Sequence, residues 1–498
     1  MDKKKHGLIF LIVWIVIMAA GTALLFAGIT RESLWYDESY TAAIVKHSIP
    51  DIIGITAGDS HPPLYYLTLH VFTLVFGNSV LALRAFSVLG AAALAALGIG
   101  PVRRALGERF SIIYTVLVFA LPITLSMAQE TRMYTWAAFW VTGSALYGYL
   151  AYRDGKISDW ALFGTCVLGA AYTHYYALLA AAMICVLLFI TMAAGKKKLK
   201  PFLIAAGIAA AGYVPWIFAL AGQVNRVTNS YWIPPVTGKV IRNVLVYPFS
   251  SKFSYDWSPV FVELAFYASA ALILFGIIKS VIRRDGSVKL AAIAAGAYVL
   301  TIGAGVAASF AIRPVLVERY TVCVLGLFAL ALAYGIGSLG KKVLPALGCA
   351  VMIAFSVPQT NYAMANRFNG PMTEAVGYLT PVIQPGDVFL HTDEHTFGTF
   401  CYYFPDHMNY YYEREGFGGY SNYGAFEPEG AMIGSPGEIS ADRRIWLVQR
   451  FGAPDSVTAP KWLRSGELKL VEAQKGFRIK TSWYGFTISR VEKGDKSS

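Results

Sequence analysis

The chain has 498 residues, of which 56% are hydrophobic and 14% charged, and its mean hydropathy is +0.50. That composition excludes an ordinary soluble protein and defines a polytopic α-helical membrane protein. A formal charge of +12 does not point to nucleic acid, because Lys and Arg cluster in short runs between apolar segments.

Windows of about 17–25 residues predict about eleven spans. They fall at 7–29, 80–102, 110–127, 134–152, 160–172, 176–194, 202–221, 259–281, 290–312, 320–338 and 343–357. The first follows Lys3-Lys4-Lys5, which places the N-terminus in the cytoplasm of a cell-membrane protein. A cleaved signal peptide is disfavoured, since the apolar stretch is longer than a signal core and no small-residue cleavage site follows it. Arg103-Arg104, Arg153, Lys196-Lys197-Lys198, Arg283-Arg284 and Lys341-Lys342 then fall in alternate loops on the N-terminal side, and the C-terminus is extracytoplasmic. This scheme needs Thr173-His174-Tyr175 to act as a very short outer turn. Four of the five cysteines lie in apolar segments and Cys401 stands alone in the polar part, so no disulfide framework is indicated.

The first outer loop, 30–79, holds two adjacent carboxylates, Asp37 and Glu38, just beyond the first span. Such a pair can take a proton from an acceptor hydroxyl or hold a divalent cation; the plainer reading is a solvated loop or a helix start. Residues 52–60 and 62–77 read as short amphipathic and interfacial elements, and Pro62-Pro63 hold His61 at a helix entrance. Gln129-Glu130-Thr131-Arg132 lies outside between the third and fourth spans, and Glu318-Arg319-Tyr320 opens the tenth. Arg132, Arg319 and His61 can serve phosphate oxygens, although Glu130 and Glu318 offer the arginines ordinary ion-pair partners. Glu130 can contact an acceptor or a metal, or orient Arg132. His174 is either a ligand or a satisfied interfacial residue. No cofactor is demanded; a divalent cation on His61, His174, Asp37 and Glu130 stays open, without any His-x-x-x-His spacing to support it.

Residues 229–248, punctuated by Pro234-Pro235 and Gly238, predict a flap. Beyond the membrane domain (1–358), segments 388–390, 445–448, 468–471 and 486–491 read as strands and 396–403 as a helix, which makes 359–498 a small α/β extracytoplasmic domain. No nucleotide-binding loop or internal repeat is present.

Taken in order, Trp35-Tyr36-Asp37-Glu38, His61-Pro62-Pro63-Leu64-Tyr65-Tyr66, Gln129-Glu130-Thr131-Arg132-Met133-Tyr134, Thr173-His174-Tyr175 and Glu318-Arg319-Tyr320 resemble the outer-loop landmarks of bacterial GT-C glycosyltransferases. The similarity is to the branch of protein O-mannosyltransferases and the lipid A aminoarabinose transferase, glycosyltransferase family 39-like, and spans roughly residues 1–340. It implies a GT-C-like fold and inverting transfer of a hexosyl, mannosyl or aminoarabinosyl group from a polyprenyl-phosphate donor. The outer-face acceptor is a protein, lipid or cell-envelope glycan, with membrane lipid as the surroundings. By this resemblance Asp37 is the candidate general base, with Glu38 assisting it, shaping the pocket or binding a metal; Arg132, Arg319 and His61 are the candidate donor-phosphate ligands by their chemistry. A base of this kind works best with its pKa lifted toward neutrality by burial. The alternative is a transporter, disfavoured because Arg84 and Glu263 lie near span ends and no half-to-half repeat is visible. A scaffold presenting the outer domain needs far fewer spans.

Overall fold

Apolar stretches long enough to cross a bilayer fold as helices, because in lipid a helix satisfies its own backbone polar groups. The computed structural model describes residues 3–227, 233–251, 259–340, 342–365, 370–412, 422–450, 458–472, 475–478 and 485–494. Helix α1 (Lys3–Phe26) leads into three short helices, α2 (Tyr36–Ile44), α3 (Ile49–Gly58) and α4 (Leu64–Phe76). The bundle continues with α5 (Val80–Ala96), α6 (Arg103–Leu106), α7 (Glu108–Ala120), α8 (Pro122–Ala128), α9 (Tyr134–Asp154), α10 (Ile157–Thr173), α11 (Tyr175–Ala194) and α12 (Lys200–Val227). After the short α13 (Gly238–Val246) come α14 (Pro259–Ile282), α15 (Val288–Ala311), a 3₁₀ turn (Glu318–Val324) running into α16 (Leu325–Gly337), and α17 (Val343–Ala365).

Among the described residues eight helical segments are long and apolar enough to span a membrane, and a bent pair makes nine. The pair is α7–α8, predicted as one span over 110–127 but bent by 63°. Pro122 is the cause: it holds Leu121 at ψ 120° and leaves the preceding turn without its donor. The two other predicted spans correspond to α9, which buries most of its length inside the bundle, and α10, which has 17 residues. Helices α10 and α11 join through one extended residue, His174. Exposed Leu8, Ile12, Val16, Ile208, Phe218 and Ile282 mark the lipid-facing surfaces.

The basic loops gather at one end, where Arg104 forks onto Asp159 at 2.9 and 2.8 Å and Arg153 donates to the Arg104 carbonyl at 2.9 Å. Helices α2–α4 and the turn before α9 lie at the other end. The 21 residues of α9 separate the two by roughly 30 Å at 1.5 Å per residue.

The C-terminal part adds α18 (Gly370–Leu379), β1 (Val388–His391), α19 (Glu394–Tyr403), β2 (Asn409–Tyr412), β3 (Gly430–Ile433), β4 (Ile445–Arg450), α20 (Thr458–Arg464), β5 (Leu468–Leu470), β6 (Lys475–Arg478) and β7 (Gly485–Lys493). The sheet order is β3-β2-β1-β4-β7-β5, with β6 also pairing β7; β1–β4 are mutually parallel and β7 runs antiparallel. Strands β1, β4, β5 and β7 stand where the sequence predicts them, and α19 begins two residues earlier than expected. Helix α19 packs directly on α2: a Cβ at Gly398 would lie 2.8 Å from the Tyr36 ring, so only glycine permits that approach. Phe397 and Phe426 thereby join the same buried apolar cluster as Tyr36, Tyr40 and the bundle. Leu34 N donates to Tyr403 Oη at 2.8 Å, and Tyr402 Oη donates to the Asn78 carbonyl at 2.8 Å, fixing the α/β domain on the first loop.

Candidate active site

Asp37 and Glu38 sit in the first turn of α2, where the helix dipole favours carboxylates. Consecutive helical residues point about 100° apart, so the two acids cannot share one role. Asp37 faces a cavity of about 620 Å³, within the usual range for small-ligand sites. Glu38 turns into the bundle, 1% exposed. Of the roles expected for it, the geometry supports pocket shaping, and assistance by direct contact is not seen.

Glu38 meets Arg84 of α5 through two bonds, Nε to Oε1 at 2.8 Å and a terminal nitrogen to Oε2 at 2.7 Å. The remaining Arg84 donors reach the carbonyls of Ile29, Glu32 and Ser33 at 2.7, 2.8 and 3.2 Å, which uses the whole guanidinium. Glu38 Oε1 also accepts from Thr131 N at 2.9 Å. One buried carboxylate thus ties together α2, α5 and the turn that carries Glu130 and Arg132. Arg84 lies near the start of α5, as its sequence position predicts, and is among the largest fully buried side chains described.

Arg319 donates to Asp37 Oδ2 at 2.9 Å and lies 5.5 Å from the Trp35 ring and 5.9 Å from the Tyr320 ring. Burial works to raise the Asp37 carboxyl, but Arg319 and then Arg132, His395 and His61 outweigh it and hold it below the usual carboxylate range. The expected lift toward neutrality is therefore absent, because burial brings four cationic or cation-capable groups with it.

Arg132 is 3% exposed and lines the same cavity. Its contacts are with neutral groups: Tyr66 Oη at 3.4 Å, Thr41 Oγ1 at 3.3 Å, the Asp37 carbonyl at 3.5 Å and His61 Nε2 at 3.2 Å. Its Nε is buried with no hydrogen-bond partner among the described residues. Because a guanidinium only donates, His61 Nε2 must accept, which places the His61 proton on Nδ1, facing Ser60 Oγ at 3.1 Å and Asp59 at 3.5 Å. Burial and Arg132 depress the His61 pKa against the pull of Asp59, in keeping with a neutral ring. His61 acts on Arg132 as an orienting acceptor.

Glu130 lines the cavity beside Arg132, whereas His174 stands behind the wall, 4% exposed. His174 Nδ1 accepts from Tyr176 N at 3.1 Å and its ring packs 5.1 Å from Tyr320. Burial, with His61 and the two arginines, drives its pKa well below the ordinary value. Its side chain caps the first turn of α11. Among the described residues no group of three His, Cys, Asp or Glu is placed to hold a metal ion.

Part of the predicted flap lines the mouth of the cavity: Ile233, Pro234, Val240 and Tyr247, with Asn243 donating to Glu318 at 3.4 Å and Arg242 paired to Glu263. Residues 229–232 of that segment lie outside the described residues.

Sequence reasoning singled out no residue of the C-terminal domain at the site. Glu394 and His395 line the cavity from the first turn of α19, just beyond the C-terminal end of the central parallel strand β1, where α/β sheets place their sites. Asp393 caps α19, lies 3.6 Å from His395 and pairs with Arg450 at 3.2 Å. Burial opposes a charged His395, but Asp393 outweighs it and raises the pKa; Glu394, which accepts from Tyr423 Oη at 2.8 Å, is raised chiefly by burial. The run Asp393-Glu394-His395 between a buried strand and a helix was the available signal.

A helical membrane bundle with helices lying across its end and a small α/β domain above them is a GT-C-like fold. The crystal structure of ArnT from Cupriavidus metallidurans bound to undecaprenyl phosphate matches it at a TM-score of 0.61 and 13% identity, over 95% of this chain and 97% of that one. The apo state of the same protein matches at 0.62 and 11% identity, with the same coverage. At such identities the likeness establishes a shared fold alone. An Archaeoglobus fulgidus oligosaccharyltransferase matches at a TM-score of only 0.47, with 13% identity over 79% of this chain and 62% of that one. No protein-family profile and no curated protein sequence matches the chain.

Proposed function

We propose that the chain is an inverting membrane glycosyltransferase that moves a sugar from a polyprenyl-phosphate donor to a hydroxyl acceptor. The observation that carries this reading is Arg132: a buried cation whose hydrogen-bond partners among the described residues are all neutral, on the wall of a cavity that also holds Arg319 and an ionised Asp37. A buried cation without a carboxylate hydrogen-bonded to it among the described residues is costly, and an anionic phosphate is the ligand that relieves it. Apolar Met127, Ile233, Leu316 and Val317 complete a wall suited to the lipid end of such a donor. The shared fold with a protein whose crystal structure holds undecaprenyl phosphate supports the same class of donor.

In this reading the acceptor oxygen attacks the anomeric carbon from the face opposite the phosphate and its proton passes to Asp37. The anomeric C–O bond breaks with its electrons on the phosphate oxygen, which Arg132 and Arg319 stabilise. When Arg319 turns to the phosphate, Asp37 loses its strongest cationic neighbour and its basicity rises. The basic loops gathered at the far end support, by the positive-inside bias, a cavity on the extracytoplasmic face and an N-terminus in the cytoplasm. Residues 1–358 supply the donor site and 359–498 cover it. The sugar is a hexose, mannose or aminoarabinose.

The test is turnover of a panel of radiolabelled undecaprenyl-phosphate sugars by the purified protein in liposomes. Label accumulating inside the vesicles with no glycosidic product at all would return the protein to the transporter class. Arg132→Met is expected to weaken binding of undecaprenyl phosphate by roughly 10- to 100-fold, the loss of one or two charge-assisted hydrogen bonds. Its thermal stability should stay within about 1 kcal/mol of wild type, because no ion pair is broken. A structural arginine would show the reverse pattern.

A further inference from the structure

The cavity has two unlike walls. On the bundle side stand Arg132, Arg319 and the apolar residues, as an anionic lipid requires. On the sheet side stands Glu394, whose carboxyl opposes a second anionic lipid, beside His395, which Asp393 already faces at 3.6 Å. His395 is braced: its ring lies 5.2 Å from Tyr36, and its Nδ1 edge faces Asp393 at 3.6 Å and Arg450 at 3.4 Å. The opposite edge of a histidine ring carries Nε2, a second donor or acceptor. Glu394 is held by Tyr423 through one oxygen, Oε2. A braced carboxyl beside a braced imidazole, next to the aromatic residues Trp35, Tyr36 and Tyr40, matches neighbouring hydroxyls on one small polar ligand.

A peptide acceptor is disfavoured by the sheet itself. Extended peptides commonly bind by adding to a free strand edge. The strand beside the cavity, β1, is paired on one side with β2 and on the other with β4, so it offers no edge.

We propose that Glu394 and His395 form the acceptor subsite, binding a saccharide through its hydroxyls and directing one of them toward Asp37. This rests on the donor reading above. The C-terminal sheet domain then selects the acceptor with side chains inside the reaction cavity.

The full-length protein in liposomes, supplied with whichever undecaprenyl-phosphate sugar it turns over, is offered methyl β-glucoside or an acetylated Ser/Thr peptide amide as acceptor. Wild type should glycosylate the glucoside in competition with hydrolysis of the donor by water. In Glu394→Gln and in His395→Gln the ratio of transfer to hydrolysis should fall by roughly tenfold or more, as expected for one lost charge-assisted hydrogen bond. Tyr423→Phe, which keeps the carboxyl but releases it, should shift the ratio in the same direction by less. An unchanged ratio in all three variants, including one where both rates fall together, overturns the assignment, as does use of the peptide alone. Wild-type protein that neither hydrolyses nor transfers overturns the donor reading instead.

Discussion

Asp37→Asn is expected to reduce sugar transfer by roughly 10²- to 10⁴-fold or more, the usual contribution of a positioned general base, while the protein folds normally. Folding should survive because Asp37 makes one ion pair among the described residues, partly exposed to solvent, and Arg319 keeps its packing against the Trp35 and Tyr320 rings. The same substitution should tighten binding of undecaprenyl phosphate, since it removes an anion that competes with phosphate for Arg319. Lost transfer with strengthened lipid binding separates a base from a donor ligand, whose loss would weaken both.

The pH profile supplies an independent reading. Before donor binds, the Asp37 carboxyl is held low by Arg319 and Arg132 against its burial, so it is ionised through the neutral range and protonates only as the pH falls through its depressed value. Donor binding draws Arg319 away and brings a phosphate charge near, and both changes raise that pKa. The acid limb of kcat/KM reports the free enzyme and that of kcat the bound complex. The kcat limb should therefore lie at higher pH; coincident limbs, or the opposite order, would remove the competition between carboxylate and phosphate for Arg319.

The helices were legible because bilayer-length apolar runs leave little choice of structure, and the outer landmarks were legible because titratable residues are scarce beside them. Asp37, His61, Glu130, Arg132 and Arg319, distant in sequence, do line one cavity. What sequence position could not show was direction. Adjacency made Asp37 and Glu38 look like a pair, whereas helical geometry sends one to the cavity and the other to Arg84. The bend at Pro122 was hidden because its flanks are as apolar as a continuous span. Strands β2 and β3 escaped notice because Asn409-Tyr410-Tyr411-Tyr412 and Gly430-Ala431-Met432-Ile433 open on Asn and Gly, which read as turn residues, and lack the apolar run of Val388-Phe389-Leu390. Glu394 and His395 were missed because nothing local announces that α19 will pack on a helix more than 300 residues earlier.

Glu38→Gln and Arg84→Met are each expected to destabilise the protein by about 3–5 kcal/mol, the cost of leaving one member of a buried ion pair without its counter-charge. Both side chains are only 2% exposed, so water cannot take over the lost partner. The damage should reach the site, because Glu38 also holds Thr131 N and hence the turn bearing Glu130 and Arg132, while Arg84 gathers three carbonyls of the 29–33 segment ahead of α2. Combining the two substitutions removes both charges together, and the double variant should lose clearly less than the sum of the singles. Melting followed by tryptophan fluorescence in detergent, alongside turnover per folded molecule, distinguishes the possibilities. If Glu38 belonged to the chemistry, Glu38→Gln would melt like wild type and still fail to turn over. A lowered midpoint with strong coupling to Arg84 assigns it to the frame that holds Arg132 against the cavity and leaves Asp37 as the acid of the pair that meets the reacting group.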